Sequence, residues 1–132
     1  MGSLNGFYVE FVLILFVVIT FLQSGIDKVL NWKENLNWLT AHFSKTIFKG
    51  MVPILLGIIT ILEILSALLA SYGLFEFFHK GSKLFALYGA LTASLTLLML
   101  LLGQRIAKEY EGAKTIVVYL IPTMFLLYLL QP

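Results

Sequence analysis

Glu63 is the residue best placed to do chemistry in this chain, because it stands alone in the apolar run from Met51 to Tyr72. That run is about as long as the ~20 residues a helix needs to cross a bilayer core, and an ionised side chain at its centre costs at least a few kcal/mol. Protonation, a partner charge or a hydrogen bond must offset that cost. Glu63 is therefore either a proton acceptor or ligand-binding acid, or a neutral clasp between two helices. Gly57, Thr60, Ser66, Ala67 and Ala70 lie near its helical face, and Ala86, Gly89, Thr92, Ala93 and Thr96 form a similar stripe in a later apolar segment. Small residues let helices approach closely, and hydroxyls such as that of Thr60 can donate to a carboxylate. Glu63 is expected to face inward.

A second polar group runs down the first apolar segment, where Thr20, Ser24, Asp27 and Asn31 share one helical stripe and Gln23 lies beside it. Gln104 and Arg105 follow the third segment. If both ends meet one membrane surface, Asp27 and Arg105 can pair. The pair would either fix the first helix against the third or, with Gln23 and Gln104, line a polar mouth for a quinone or phospholipid head group. The only histidines, His42 and His79, fall on opposite sides of the expected membrane and cannot hold one haem iron. No cluster of His and carboxylates has metal-ligand spacing, so neither a metal nor an intrinsic cofactor is expected. A phosphate-binding glycine loop and a nucleophile motif are likewise missing from the sequence.

Composition sets the elements that must carry these residues. Of 132 residues, 60% are apolar and 12% charged, and the mean hydropathy is +0.96, which is an integral membrane balance rather than a soluble one. The net charge of +2 is scattered and gives no footing for nucleic acid. The absence of cysteine excludes disulfide exchange and thiolate metal ligation by these residues. Hydropathy predicts one all-α domain over 1–132 with four spans, about 7–30, 51–78, 84–102 and 115–130. The first span lacks the basic flank and small-residue cleavage site of a secretory signal and is read as a retained helix. Pro53 falls near the start of the second span, where it is harmless, whereas Pro122 lies inside the fourth and is expected to kink it.

Between the first two spans, Trp32, Leu36, Leu39, Phe43 and Ile47 recur at helical spacing. This predicts an amphipathic interfacial helix over about 32–48, serving either as a lid over a site or as an anchor in the membrane surface. Lys28, Lys33, Lys45 and Lys49 fall in the first connection and Arg105, Lys108 and Lys114 in the third, against Lys80 and Lys83 in the second. The positive-inside bias puts the first and third connections in the cytoplasm and both termini outside.

Ser24-Gly25-Ile26-Asp27-Lys28, Pro53, Glu63 and the run Gly103-Gln104-Arg105-Ile106-Ala107-Lys108 together resemble the DoxX family of small four-helix membrane proteins. The resemblance extends over nearly the whole chain. It implies a bacterial inner-membrane bundle, in which termini placed outside by the charge bias are periplasmic, and, as in some members, a link to quinone reduction as the membrane subunit of a redox complex. The lack of cysteine departs from any thiol-relay role. The functional expectation is thus an accessory membrane subunit of a redox or cell-envelope system, in contact with lipid and with other subunits or copies of itself. The competing readings are a purely structural subunit and, with no internal repeat to support alternating access, a small transporter.

Overall fold

The structure, a computed structural model, describes residues 7–132. These form five helices and no strand: α1 (Tyr8–Leu30), α2 (Trp32–His42), α3 (Val52–Lys80), α4 (Leu84–Ile106) and α5 (Tyr110–Leu130). Four of them, α1, α3, α4 and α5, are long and apolar enough to cross a membrane. Their outward faces are lined with large apolar side chains such as Ile19, Ile54, Ile61, Leu68, Leu95 and Ile121. The burial of small residues inside and the display of large apolar ones outside inverts the soluble arrangement and fits lipid as solvent.

Helix α3 is the axis of the bundle and packs chiefly on α4 and α1, while α5 closes the ring against α4 and, less extensively, α1. The α3–α4 approach is the tightest. A Cβ on Gly73 would lie 2.5 Å from Ala86 Cα, and one on Gly89 would lie 3.0 Å from Ala70 Cα. The hairpin between them turns at Gly81, whose φ of +69° needs no side chain to oppose it. Buried Glu76 accepts a hydrogen bond from the Phe85 backbone N–H across that turn at 3.3 Å. Apart from this polar contact the core is Ile14, Val17 and Phe21 of α1, Phe77 and the buried alanines of α3, Leu97 and the buried alanines of α4, and Leu126 and Leu130 of α5.

Three boundaries differ from those read in the sequence. Helix α4 continues past 102 to Ile106 and α5 begins at Tyr110, so the third connection is only 107–109, and Arg105 and Lys114 are helical. Helix α1 ends at Leu30, as read, so Lys28, counted among the charges of the first connection, lies in its last turn. The helix expected over 32–48 ends at His42. Beyond it the chain folds into consecutive turns closed by Thr46 N–H to Phe43 O, Lys49 N–H to Thr46 O and Met51 N–H to Phe48 O. Gly50, at φ +83°, makes the final bend into α3. The apolar period through Phe43 and Ile47 was real, but hydroxyl bonding competes with the helix at Thr46. Its Oγ1 donates to Phe43 O and accepts from Phe48 N–H.

Candidate functional site

Glu63 is 2% exposed and faces α1. Ser24 Oγ donates to its Oε2 at 2.6 Å, and Lys28 Nζ lies 2.9 Å from its Oε1. Lys28 Nζ also donates to Ser24 Oγ at 2.8 Å, closing a three-membered cluster. The i, i+4 spacing of Ser24 and Lys28 puts both on one face of α1. Gly25 brings that face in, since a Cβ there would meet Ile64 Cγ1 at 2.7 Å. The contact between Lys28 Nζ and Glu63 Oε1 is one of charge rather than a well-aligned hydrogen bond. An ammonium has three donors, so the lysine keeps donor capacity beyond Ser24.

The carboxylate is thus compensated by a cation, not by the hydroxyls of α3 and α4. Thr60 Oγ1 donates to Leu56 O, Ser66 to Leu62 O and Thr96 to Thr92 O, each within its own helix. Local bonding of this kind satisfies a buried hydroxyl in an apolar surrounding and leaves nothing for a neighbour. Thr60, expected beside Glu63 as a ligand residue, is buried and committed to its own backbone.

The cluster stands between two cavities. The first, about 350 Å³, lies under α2 and the turns after it, and is walled by Leu56 and Ile59 of α3 and Met99 of α4, with Lys28 and Gln104 among its few polar groups. Phe43 reaches across to α4, its Cζ 3.5 Å from where a Gly103 Cβ would stand, and closes the cover. The second, about 320 Å³, is lined by Glu63 and Ser24 with Thr20, Gln23 and Tyr119. Leu100 borders both. Of the expected site residues, Glu63 and Gln23 therefore share one cavity and Gln104 borders the other.

The expected Asp27–Arg105 pair does not form. Asp27 is exposed and accepts a hydrogen bond from Asn31 Nδ2 at 2.8 Å. Arg105 stacks its guanidinium 4.7 Å from the Tyr110 ring centroid. A short α4–α5 connection puts Tyr110 within reach of Arg105, and an exposed Asp finds its partner one turn along its own helix. Neither residue lines either of these two cavities.

Two features were missed. Lys28 read as a loop charge; its spacing from Ser24 gives a shared face of α1 but not what that face meets. A second ion pair joins Lys83 to buried Glu10 at 3.2 Å, at the end of the bundle where α1 starts and α4 begins, with Lys83 Nζ also over the Phe7 and Phe77 rings. Among the described residues, no three His, Cys, Asp or Glu side chains come together as a metal site. His42 stacks on Trp38 in α2, and His79 packs on Phe75 at the far end of α3. The chain matches no protein-family model, no curated protein and no solved structure.

Proposed function

We propose that this chain is a multi-pass membrane protein of the DoxX-like type, an accessory subunit of a redox or cell-envelope system that holds the polar head of a membrane amphiphile beside the Lys28–Glu63–Ser24 cluster. The observation that carries the reading is a balanced ion pair, set inside a bundle of apolar helices, that faces two cavities at once. A charge pair buried solely to fasten two helices is a poor investment, because apolar side chains of similar volume do that at least as well. Its retention next to ligand-sized space is accounted for by recognition. In this reading α2 is an interfacial cover over the first cavity, the membrane is a bacterial inner membrane, and the termini are periplasmic. A quinone is the ligand that the DoxX resemblance brings to the site.

The alternative is a structural subunit in which the cluster only locks α1 to α3. Native mass spectrometry of the purified chain separates the two. We expect a bound small amphiphile in the wild type and its loss in the doubly apolar variant Lys28→Met/Glu63→Leu, which keeps the helices packed. A stoichiometric protein partner with no small molecule in the wild type would overturn the proposal in favour of the structural subunit.

A further inference from the structure

Gln23 stands exposed on the outer face of α1, and its amide takes part in none of the side-chain hydrogen bonds among the described residues. Its neighbours fix its depth. Phe11 stacks on Phe77 and Gly25 meets Ile64, so α1 and α3 run antiparallel and Gln23 lies about level with Leu65. Leu65 is next to the middle residue of α3 (Val52–Lys80). The nearer end of α1, at Leu30, is about 10 Å away along the helix axis. Lipid chains offer an amide at this depth no partner, and leaving it unbonded there is costly.

The residues in line with Gln23 form a seam. Val12, Phe16, Ile19, Gln23, Ile26 and Leu30 follow one another at alternating steps of four and three, the spacing that keeps one helix stripe against a second helix in a left-handed pair. All are exposed except Phe16, which is half-buried beside Tyr119 of α5. Gln23 is the one polar residue of the seam.

From this geometry we infer that the outer face of α1 is a homodimer interface, in which the Gln23 amides of two copies bond to each other across a twofold axis normal to the membrane. Copies inserted with the same orientation carry residue 23 at the same depth. An amide both donates and accepts, so a twofold axis at Gln23 gives each copy a donor for its oxygen and an acceptor for its N–H. A single polar residue within an apolar seam also fixes the register of the two helices. A different membrane protein would have to bring its own donor and acceptor to this depth, whereas a second copy brings them by identity. Gln23 and Ile19 also border the second cavity, so the second copy stands at its rim.

The test uses the full chain, whose lack of cysteine lets single thiols report contact. In native membranes treated with copper phenanthroline, Ile19→Cys and Ile26→Cys should form disulfide-linked dimers, while Ile61→Cys and Leu95→Cys, exposed on the outer faces of α3 and α4, should not. Förster transfer between donor- and acceptor-tagged chains, diluted in phosphatidylcholine liposomes, then gives the dimer affinity. Gln23→Leu should weaken it about tenfold without lowering the thermal midpoint of the monomer, and Gln23→Asn should keep most of it. Disulfides at 19 and 26 no more frequent than at 61 and 95 would overturn the interface even if the leucine variant failed to fold. Undiminished association of Gln23→Leu would overturn the amide pairing, and if that variant also lost a bound small molecule, the amide would belong to the second cavity instead.

Discussion

Lys28 and Glu63 show how a residue's meaning depends on what lies level with it in the fold. Removing the lysine alone leaves a carboxylate that is 2% exposed with only a serine hydroxyl for company. Lys28→Met should therefore destabilise the fold by about 3 kcal/mol, whereas Lys33→Met, on an exposed position, should stay within about 0.5 kcal/mol. Adding Glu63→Leu to Lys28→Met should restore most of the loss, since two apolar side chains can fill the space of a buried pair. Thermal unfolding in detergent reads all three, and a harmless Lys28→Met would show that the ion pair contributes nothing. Glu63 itself was legible in the sequence because an acid interrupts an apolar run. Its partner was not, because a lysine near a helix end looks the same whether it snorkels to water or turns inward. What decides is the offset between α1 and α3: Gly25 packs against Ile64, so the last turns of α1 lie opposite Glu63. That offset is a tertiary fact with no local signature. The same limit undid the Asp27–Arg105 expectation, in which shared membrane side stood in for contact.

At the scale of elements, the long helices were readable and so were most of their ends, the exceptions being the end of α4 and the start of α5. Apolar runs of span length are unambiguous in composition, but nothing in Gly103-Gln104-Arg105-Ile106 stops a helix, and α4 carries on through it. The segment after His42 failed in the opposite direction, with apolar spacing continuing after the backbone had left the helix. Close helix contact was also only half visible, since glycines of equal appearance do different things. Gly73 meets the backbone of α4, while Gly57 has only the Trp32 ring near it, 3.9 Å from where its Cβ would be. Gly73→Ala must push α3 and α4 apart and should cost about 1–3 kcal/mol. Gly57→Ala has room, and should be neutral or stabilise by up to about 1 kcal/mol through helix propensity. Chemical or thermal unfolding of the two variants side by side checks the pairing, and equal effects would mean that the α3–α4 contact does not set the stability of the bundle.

For the whole molecule, the ends of the bundle differ in kind. One end has α2, the turns after it and the short α4–α5 connection, with Lys33, Lys45, Lys49, Arg105, Lys108 and Lys114. The other has the α3–α4 turn with Lys80 and Lys83, and Lys83 is tied to Glu10. Lys28 no longer counts as a loop charge, yet the imbalance survives its removal. A positive-inside bias acts on basic residues near span ends whatever their later partners, because orientation is fixed as the helices insert. The α2 end should accordingly face the cytoplasm, with the first cavity opening toward the inner leaflet and the C-terminus outside. The chain contains no cysteine, so a single introduced thiol reports cleanly. Gln131→Cys, at an exposed position after α5, should react with a membrane-impermeant maleimide on intact spheroplasts. Ser44→Cys, exposed just beyond α2, should react only after the membrane is permeabilised. The reverse pattern would invert the molecule, and would move the Lys28–Glu63 cluster to the outer leaflet without changing its chemistry.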